Sequence, residues 1–221
     1  MLIDFHCHRT APFAVACTDT PSSGPAPAAE PSALLSCQGL LPGRWTAELQ
    51  DMLLSNLISD SGLQMGEVGL DRRFKDVLPM DRQTEILRTM LHFAVEHDKS
   101  ISLHCVQATE VMLNVLRETS FRPYGVIWHG FTGSRETAAV LSGLKVIVSI
   151  GPRFRGNLLD IFEANRALVP ETDYEGSDPA EHESILRAQY DRFSRELQMT
   201  PDEILGHTEK LFKAFSPNPG C

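Results

Sequence analysis

Residues 1–8, MLIDFHCH, place two histidines one residue apart at the end of a short apolar run. Met1 to Phe5 alternates and carries branched residues, which suits a pleated, half-buried strand. Side chains alternate faces along a strand, so His6 and His8 share one face and Cys7 takes the other. Two imidazoles side by side at a strand end suit a pair of metal ligands, although alone they more often mark a polar strand terminus. What decides between the readings is whether the pattern recurs with suitable partners.

It recurs along the whole chain. Eight short apolar runs, each followed by polar or glycine residues, read as strands: Leu2 to His6, Phe13 to Thr18, Ala33 to Cys37, Leu63 to Gly69, Ile101 to Cys105, Gly125 to His129, Lys145 to Ile150 and Ala167 to Glu171. Amphipathic helical stripes lie between or after them from the third run onward. One carries Leu49, Met52, Leu53 and Leu57, and others carry Ile86 to Ala94, Val111 to Leu116 and Ile185 to Leu197. Thr200-Pro201-Asp202-Glu203 combines an N-cap, a proline at the first helical position and a capping-box glutamate, and so predicts a last helix. Strand–helix alternation with eight strands predicts an α/β fold of the (β/α)8 type, a TIM-type barrel. The barrel is abbreviated. Few residues separate the first two strands, and Pro21, Pro25, Pro27 and Pro31 exclude a regular helix before the third, so the first two crossover helices are expected to be missing. The proline-rich stretch 19–32 reads as a connector in preference to a lid. A single barrel domain is expected over 1–215, with SPNPGC at 216–221 a disordered tail.

The 221 residues carry a net charge of −9, which disfavours broad, non-specific binding to nucleic acid and suits a site that concentrates cations. Five cysteines without a CxxC pair argue for reduced thiols and a cytoplasmic setting. No stretch reads as a membrane span, and neither a membrane nor an obligatory protein partner is expected; the chain reads as a monomer.

Chemistry gathers at the C-terminal strand ends, where barrel enzymes build their sites. The first strand delivers His6 and His8, the fourth Glu67, the fifth His104, the sixth His129 and the eighth Asp173. Four imidazoles and two carboxylates make a ligand set for two divalent cations, and Glu67 has two oxygens with which to bridge them. Two such ions clamp an in-line displacement and lower the pKa of water. Asp173 is suited to orient that water and take its proton, which makes Asp173 and Glu67 the candidate catalytic residues. Histidine with carboxylate suits zinc, manganese or iron; magnesium, the remaining candidate, prefers all-oxygen ligation. Arg153 and Arg155, and also Arg72 and Arg73, are candidates for contact with substrate phosphate. Asp71 either supports a ligand histidine or opens a loop. His92, His97, His182 and His207 fall in helical segments and read as solvated or packed.

DFHCH, GEVGLD, SLHC, WHGFTGS and PETD, in that order, resemble the TatD family of metal-dependent hydrolases, and HTEKLFKAF is similar to that family's last helix. The resemblance implies a metal-dependent (β/α)8 barrel of the amidohydrolase superfamily with deoxyribonuclease or 3′–5′ exonuclease activity. It also implies one metal held by His6, His8, Glu67 and Asp173 and a second by Glu67, His104 and His129. The chain departs from the family pattern where Leu41 replaces a histidine, Val106 an arginine and Arg72 an aromatic, and where PETDYEG carries Pro170. None of these removes a metal ligand. The expectation is therefore a two-metal hydrolase of phosphodiester bonds, with DNA as one possible substrate. The alternatives are a small phosphoester, amide or ester substrate, and a metal-binding barrel without catalysis. A cysteine nucleophile is disfavoured, because Cys7 and Cys105 each adjoin a ligand histidine and face away.

Overall fold

The computed structural model describes residues 1–18 and 33–217. Each of the eight predicted runs forms a strand: β1 (Asp4–Cys7), β2 (Ala14–Thr18), β3 (Leu35–Gln38), β4 (Gln64–Asp71), β5 (Ile101–Val106), β6 (Val126–Trp128), β7 (Ile147–Ile150) and β8 (Leu168–Pro170). They pair in sequence order, each parallel to the next. The ring is joined on the site side by two backbone bonds, from Asp173 N–H to His6 O at 3.0 Å and from His8 N–H to Tyr174 O at 2.9 Å. The result is a nearly closed barrel of the TIM type.

The helices are α1 (Ala47–Ser59), α2 (Met80–Glu96), α3 (Thr109–Glu118), α4 (Arg135–Gly143), α5 (Leu158–Ala164), α6 (Pro179–Leu197) and α7 (Pro201–Phe215). Their starts are written in the sequence. Thr46 accepts from Leu49 N–H, Ser134 from Thr137 N–H and Asn157 from Leu159 N–H, satisfying donors that the first helical turn leaves unpaired. At α7 the capping box forms as predicted, with Thr200 N–H on Glu203 Oε2 at 2.7 Å and Glu203 N–H on Thr200 Oγ1 at 3.3 Å. No helix joins β1 to β2. The expected absence of the second crossover helix concerns 19–32, which, like 218–221 of the expected tail, lies outside the described residues. Pro170 is tolerated because it is the last residue of β8: it pairs with Ile150, and the ladder resumes with Glu171 N–H on Ile150 O at 3.2 Å.

Alternation divides the core. Val126 and Trp128 of β6, Val148 of β7 and Leu168 of β8 pack into a large cluster with the helices. Their neighbours Ile127, Ile147 and Val169 join Ile3, Phe5, Val15, Cys17 and Cys37 in a second cluster that only the barrel interior can assemble. Leu211 and Phe215 of α7 belong to this inner cluster. Phe215 O accepts from the Ser100 hydroxyl and, at 2.5 Å, from Arg122 Nη2, and both donors lie at N-terminal strand ends. The end of α7 thus stops the barrel floor, opposite the site. Phe215→Ala should cost about 3–5 kcal/mol of stability, the usual range for deleting a buried aromatic ring. Denaturant unfolding measures it, and a loss under about 1 kcal/mol would show that the floor packs without this ring.

Candidate metal centre

Strand ends converge as the sequence predicts: His6, His8, Glu67, His104, His129 and Asp173 meet at the C-terminal mouth of the barrel, and all but His6 line one cavity of ≈ 390 Å³. His6 lies beneath it, fully buried. Its Nδ1 sits 2.9 Å from Ser102 Oγ and 3.4 Å from Cys17 Sγ, contacts that orient the ring. Its Nε2 is buried, has no hydrogen-bond partner among the described residues and lies 3.6 Å from Glu67 Oε1. Burial, together with the neighbouring His129, holds the His6 pKa well below the usual histidine value. Burial thus favours the neutral ring, and with Nδ1–H donated to Ser102 its Nε2 would offer a lone pair to a cation.

Glu67 sits where three strands approach closely. A Cβ on Gly39 of the adjoining segment would stand 2.1 Å from Glu67 N, and one on Gly69 only 1.8 Å from His104 O. Only glycine allows these approaches. Glu67 Oε1 then lies 3.2 Å from His104 Nδ1 and in direct contact with His129 Nε2. Burial alone would raise the Glu67 pKa; His129 and His104 outweigh it and hold it well below the usual carboxylate value. Burial likewise lowers the His129 pKa, and the Glu67 and Glu171 carboxylates reverse that shift to a net increase. An imidazole nitrogen pressed on a carboxylate needs a proton or a cation between them, and the raised His129 pKa shows how strongly the two carboxylates favour positive charge there.

Asp173 arrives on a loop fastened to β1. Its φ is +54°, a left-handed conformation that aspartate tolerates better than most residues. Beneath it, Asp4 accepts from Thr172 N–H at 3.0 Å, from the Thr172 hydroxyl at 2.5 Å and from His182 Nε2 at 2.7 Å. Tyr174 stacks on His182 with ring centroids 4.8 Å apart. His182, which the sequence reading left among the solvated or packed helical histidines, is packed: it anchors this loop. Asp173 Oδ1 ends 3.3 Å from His8 Nε2.

The donors fit divalent cations. Ligand atoms of His6, His8 and Glu67 lie within 4.8 Å of one another, and so do those of Glu67, His104 and His129. Glu67 is common to both groups, and Asp173 joins His6 and His129 in a third. Asp71 takes the supporting alternative: its Oδ2 lies 3.0 Å from His104 Nε2, and Arg73 grips the same carboxylate with Nε and Nη2. Such a partner fixes which imidazole nitrogen faces a metal.

Residues 25–216 match the family described as TatD related DNase. The chain belongs to that family. It is 36% identical over 87 residues to an uncharacterized metal-dependent hydrolase, YabD, of Bacillus subtilis, covering 39% of this chain and 34% of the relative. It is 29% identical over 137 residues to a 3′-5′ ssDNA/RNA exonuclease TatD of Pantoea, covering 58% and 52%. The alignments thus span about a third and about half of those relatives' lengths. The crystal structure of YjjV, a TatD homolog from Escherichia coli, superimposes with a TM-score of 0.80 at 20% identity, over 99% of this chain and 98% of that one, and shares the fold.

Within the family frame, two of the departures in sequence, Leu41 and Val106, fall on the cavity wall. The arginine expectations need one correction. Arg72 does not line the cavity: its Nε donates to Gln107 O at 2.8 Å, and Arg73 lines the wall instead. A short 3-10 turn, Arg72–Phe74, sends the two side chains different ways. Arg153 lines the mouth and contacts Asp173, whereas Arg155 faces a neighbouring cavity.

Glu171 was missed by sequence reasoning. It is fully buried, accepts from Gly130 N–H at 2.8 Å and from the Ser149 hydroxyl at 2.5 Å, and lies 4.0 Å from His129 Nδ1. The period of two that pairs His6 with His8 also pairs Glu171 with Asp173, and that signal could have found it. Cys7 is buried and donates to Arg9 O, and burial pushes the Cys105 thiol up to about 12. Neither thiol is poised as a nucleophile. Among the described residues no helix is long and apolar enough to cross a membrane. Asp71→Ala should weaken zinc or manganese binding by about 10–100-fold with little loss of stability, because the ligands stay while His104 loses its anchor. Competition against a chromogenic chelator measures the affinity, and an unchanged value would show that Asp71 leaves His104 unrestrained.

Proposed function

We propose that this chain is a metal-dependent hydrolase of phosphodiester bonds acting on single-stranded nucleic acid. One observation carries the reading: the unpartnered Nε2 of buried His6 faces Glu67, on which His104 and His129 also converge. The Pantoea relative's description as an ssDNA/RNA exonuclease supports the substrate class. His6, His8, Glu67 and Asp173 would hold one divalent cation and Glu67, His104 and His129 a second, as the family resemblance implies. Bound there, the ions would supply Lewis acidity toward a phosphoryl oxygen and acidify water at neutral pH.

The chain's own residues do the rest. Asp173, at the rim and outside the fully buried layer, accepts the proton of the attacking water while that oxygen bonds to phosphorus and the bond to the leaving sugar oxygen breaks. Glu171, held by Ser149 and Gly130, fixes the strand end that presents Asp173. Arg153 trades its contact with Asp173 for a phosphate oxygen as substrate enters. A small phosphoester or carboxylic ester is the second reading. Leu41 and Val106 favour it, because they make part of the cavity wall apolar.

Protein purified without chelator should carry close to two transition-metal ions per chain by plasma mass spectrometry, and a His6→Ala/Glu67→Ala double variant far fewer. The same variant should lose hydrolysis of bis(4-nitrophenyl) phosphate. A metal-free wild type after incubation with zinc or manganese would overturn the reading. Asp173→Asn should lower kcat by about 10²–10⁴-fold, the usual contribution of a positioned base. A rise in KM with kcat unchanged would move the base elsewhere.

A further inference from the structure

A second cavity of ≈ 420 Å³ adjoins the first, and the two share Thr132, Arg153 and Phe154. It lies between the starts of α4 and α5 and is lined also by Gly133, Ser134, Arg135, Arg155, Gly156 and Asn157. The two cavities have opposite electrostatic character. Among charged side chains, the first holds Glu67, Glu171, Asp173 and Glu175 against Arg73 and Arg153, and is a place for cations. The second holds Arg135, Arg153 and Arg155 against Asp160 alone, and is a place for anions. On a chain of net charge −9 this concentration of guanidinium runs against the overall balance.

The arginines differ in how firmly they are held. Arg135 Nη1 pairs with Glu163 at 2.9 Å across the α4–α5 gap, which fixes its position. Arg155 is exposed and donates from Nη1 to the carbonyl oxygens of Pro152 and Phe154, leaving its other nitrogens without a carboxylate partner among the described residues. Arg153 stands at the junction, against Asp173. Guanidinium groups in such a row match phosphate oxygens along a backbone.

We infer that this groove is a phosphate-tracking subsite for single-stranded nucleic acid, receiving the sugar-phosphate unit beyond the one at the metal centre. The inference rests on the proposed function and extends it. Arg153 spans the two units, Arg155 and Arg135 each meet a further phosphate, and the Thr132 and Ser134 hydroxyls line the same path. The volume suits about one nucleotide-sized group. The groove's one aromatic, Phe154, is only 5% exposed, so no ring is available for a base to stack on. Recognition therefore falls on the backbone and is indifferent to sequence, unlike sites that grip bases on aromatic platforms.

Fluorescence anisotropy with 5′-labelled pentathymidylate, in EDTA so that no hydrolysis occurs, tests the groove by binding alone. Arg135→Gln/Arg155→Gln should weaken binding at least tenfold at 50 mM NaCl. It should also reduce the slope of log K against log salt by about 1.4, since each single-strand phosphate contact contributes about 0.7. Arg155→Gln alone, which spares the Arg135–Glu163 pair, should reduce the slope by about 0.7. Arg117→Gln/Arg187→Gln removes the same charge from positions outside the groove and should change neither quantity. Wild-type binding too weak to detect, an unaltered slope in the groove variant, or equal weakening in the control variant would each overturn the subsite. Hydrolysis of bis(4-nitrophenyl) phosphate with manganese is read separately. Its absence counts against the proposed function, while the anisotropy still decides the groove.

Discussion

The carboxylate of Glu67 sits at the bottom of a barrel mouth, removed from water, and much of the upper barrel is arranged around that fact. A buried carboxylate is costly unless positive charge or hydrogen-bond donors answer it. Here the answer comes from imidazoles delivered by three other strands. The side chains can meet only because glycines at 39 and 69 let neighbouring backbones close to distances that a methyl group would forbid. The same closeness that makes the carboxylate expensive without a positive partner makes it a strong ligand with one.

A second constraint works at right angles to the first. Asp173 is more exposed than Glu67, Asp71 or Glu171, and its loop would be free to drift if the backbone bonds to β1 were its only attachment. The Asp4 carboxylate beneath it collects Thr172 twice and His182 once, and the Tyr174 ring covers the histidine. Helix α6 therefore does more than pack against the sheet: through His182 it holds the ground on which the reactive loop stands. Beyond the rim, negative charge gives way to the arginines of the adjoining groove, so the surface changes sign within the reach of one arginine side chain.

Much of this was legible in the sequence, for identifiable reasons. All eight strands announced themselves by short apolar runs, and the candidate ligands stood out because five of those runs carry a histidine or an acid at or near the C-terminal end. Alternation then fixed which neighbours share a face. The Thr200–Glu203 box was readable because capping is local chemistry. What escaped depends on contacts between distant residues. His182 looks like any helical histidine until Asp4, 178 residues away, is seen beside it. Arg72 and Arg73 are equivalent in a string of letters, and only the 3-10 turn decides which one reaches the wall. Glu171 lay within reach of the alternation argument but was hidden by the more prominent Asp173. Helix α5, with seven residues, is too short for a stripe to stand out.

The tie between Asp4 and Thr172 joins residues 168 positions apart. Contacts of such sequence separation form late, since the loop entropy must be met before they reward the chain. A nascent chain on which β8 has not yet docked holds histidines and Glu67 but lacks Asp173 and the bonds that bring it to His8. Its donor set is correspondingly incomplete, and a cation held by the full set would report that the barrel has shut. Ring closure and completion of the donor set are in this sense one event, and any cation held there would draw the equilibrium toward the finished fold.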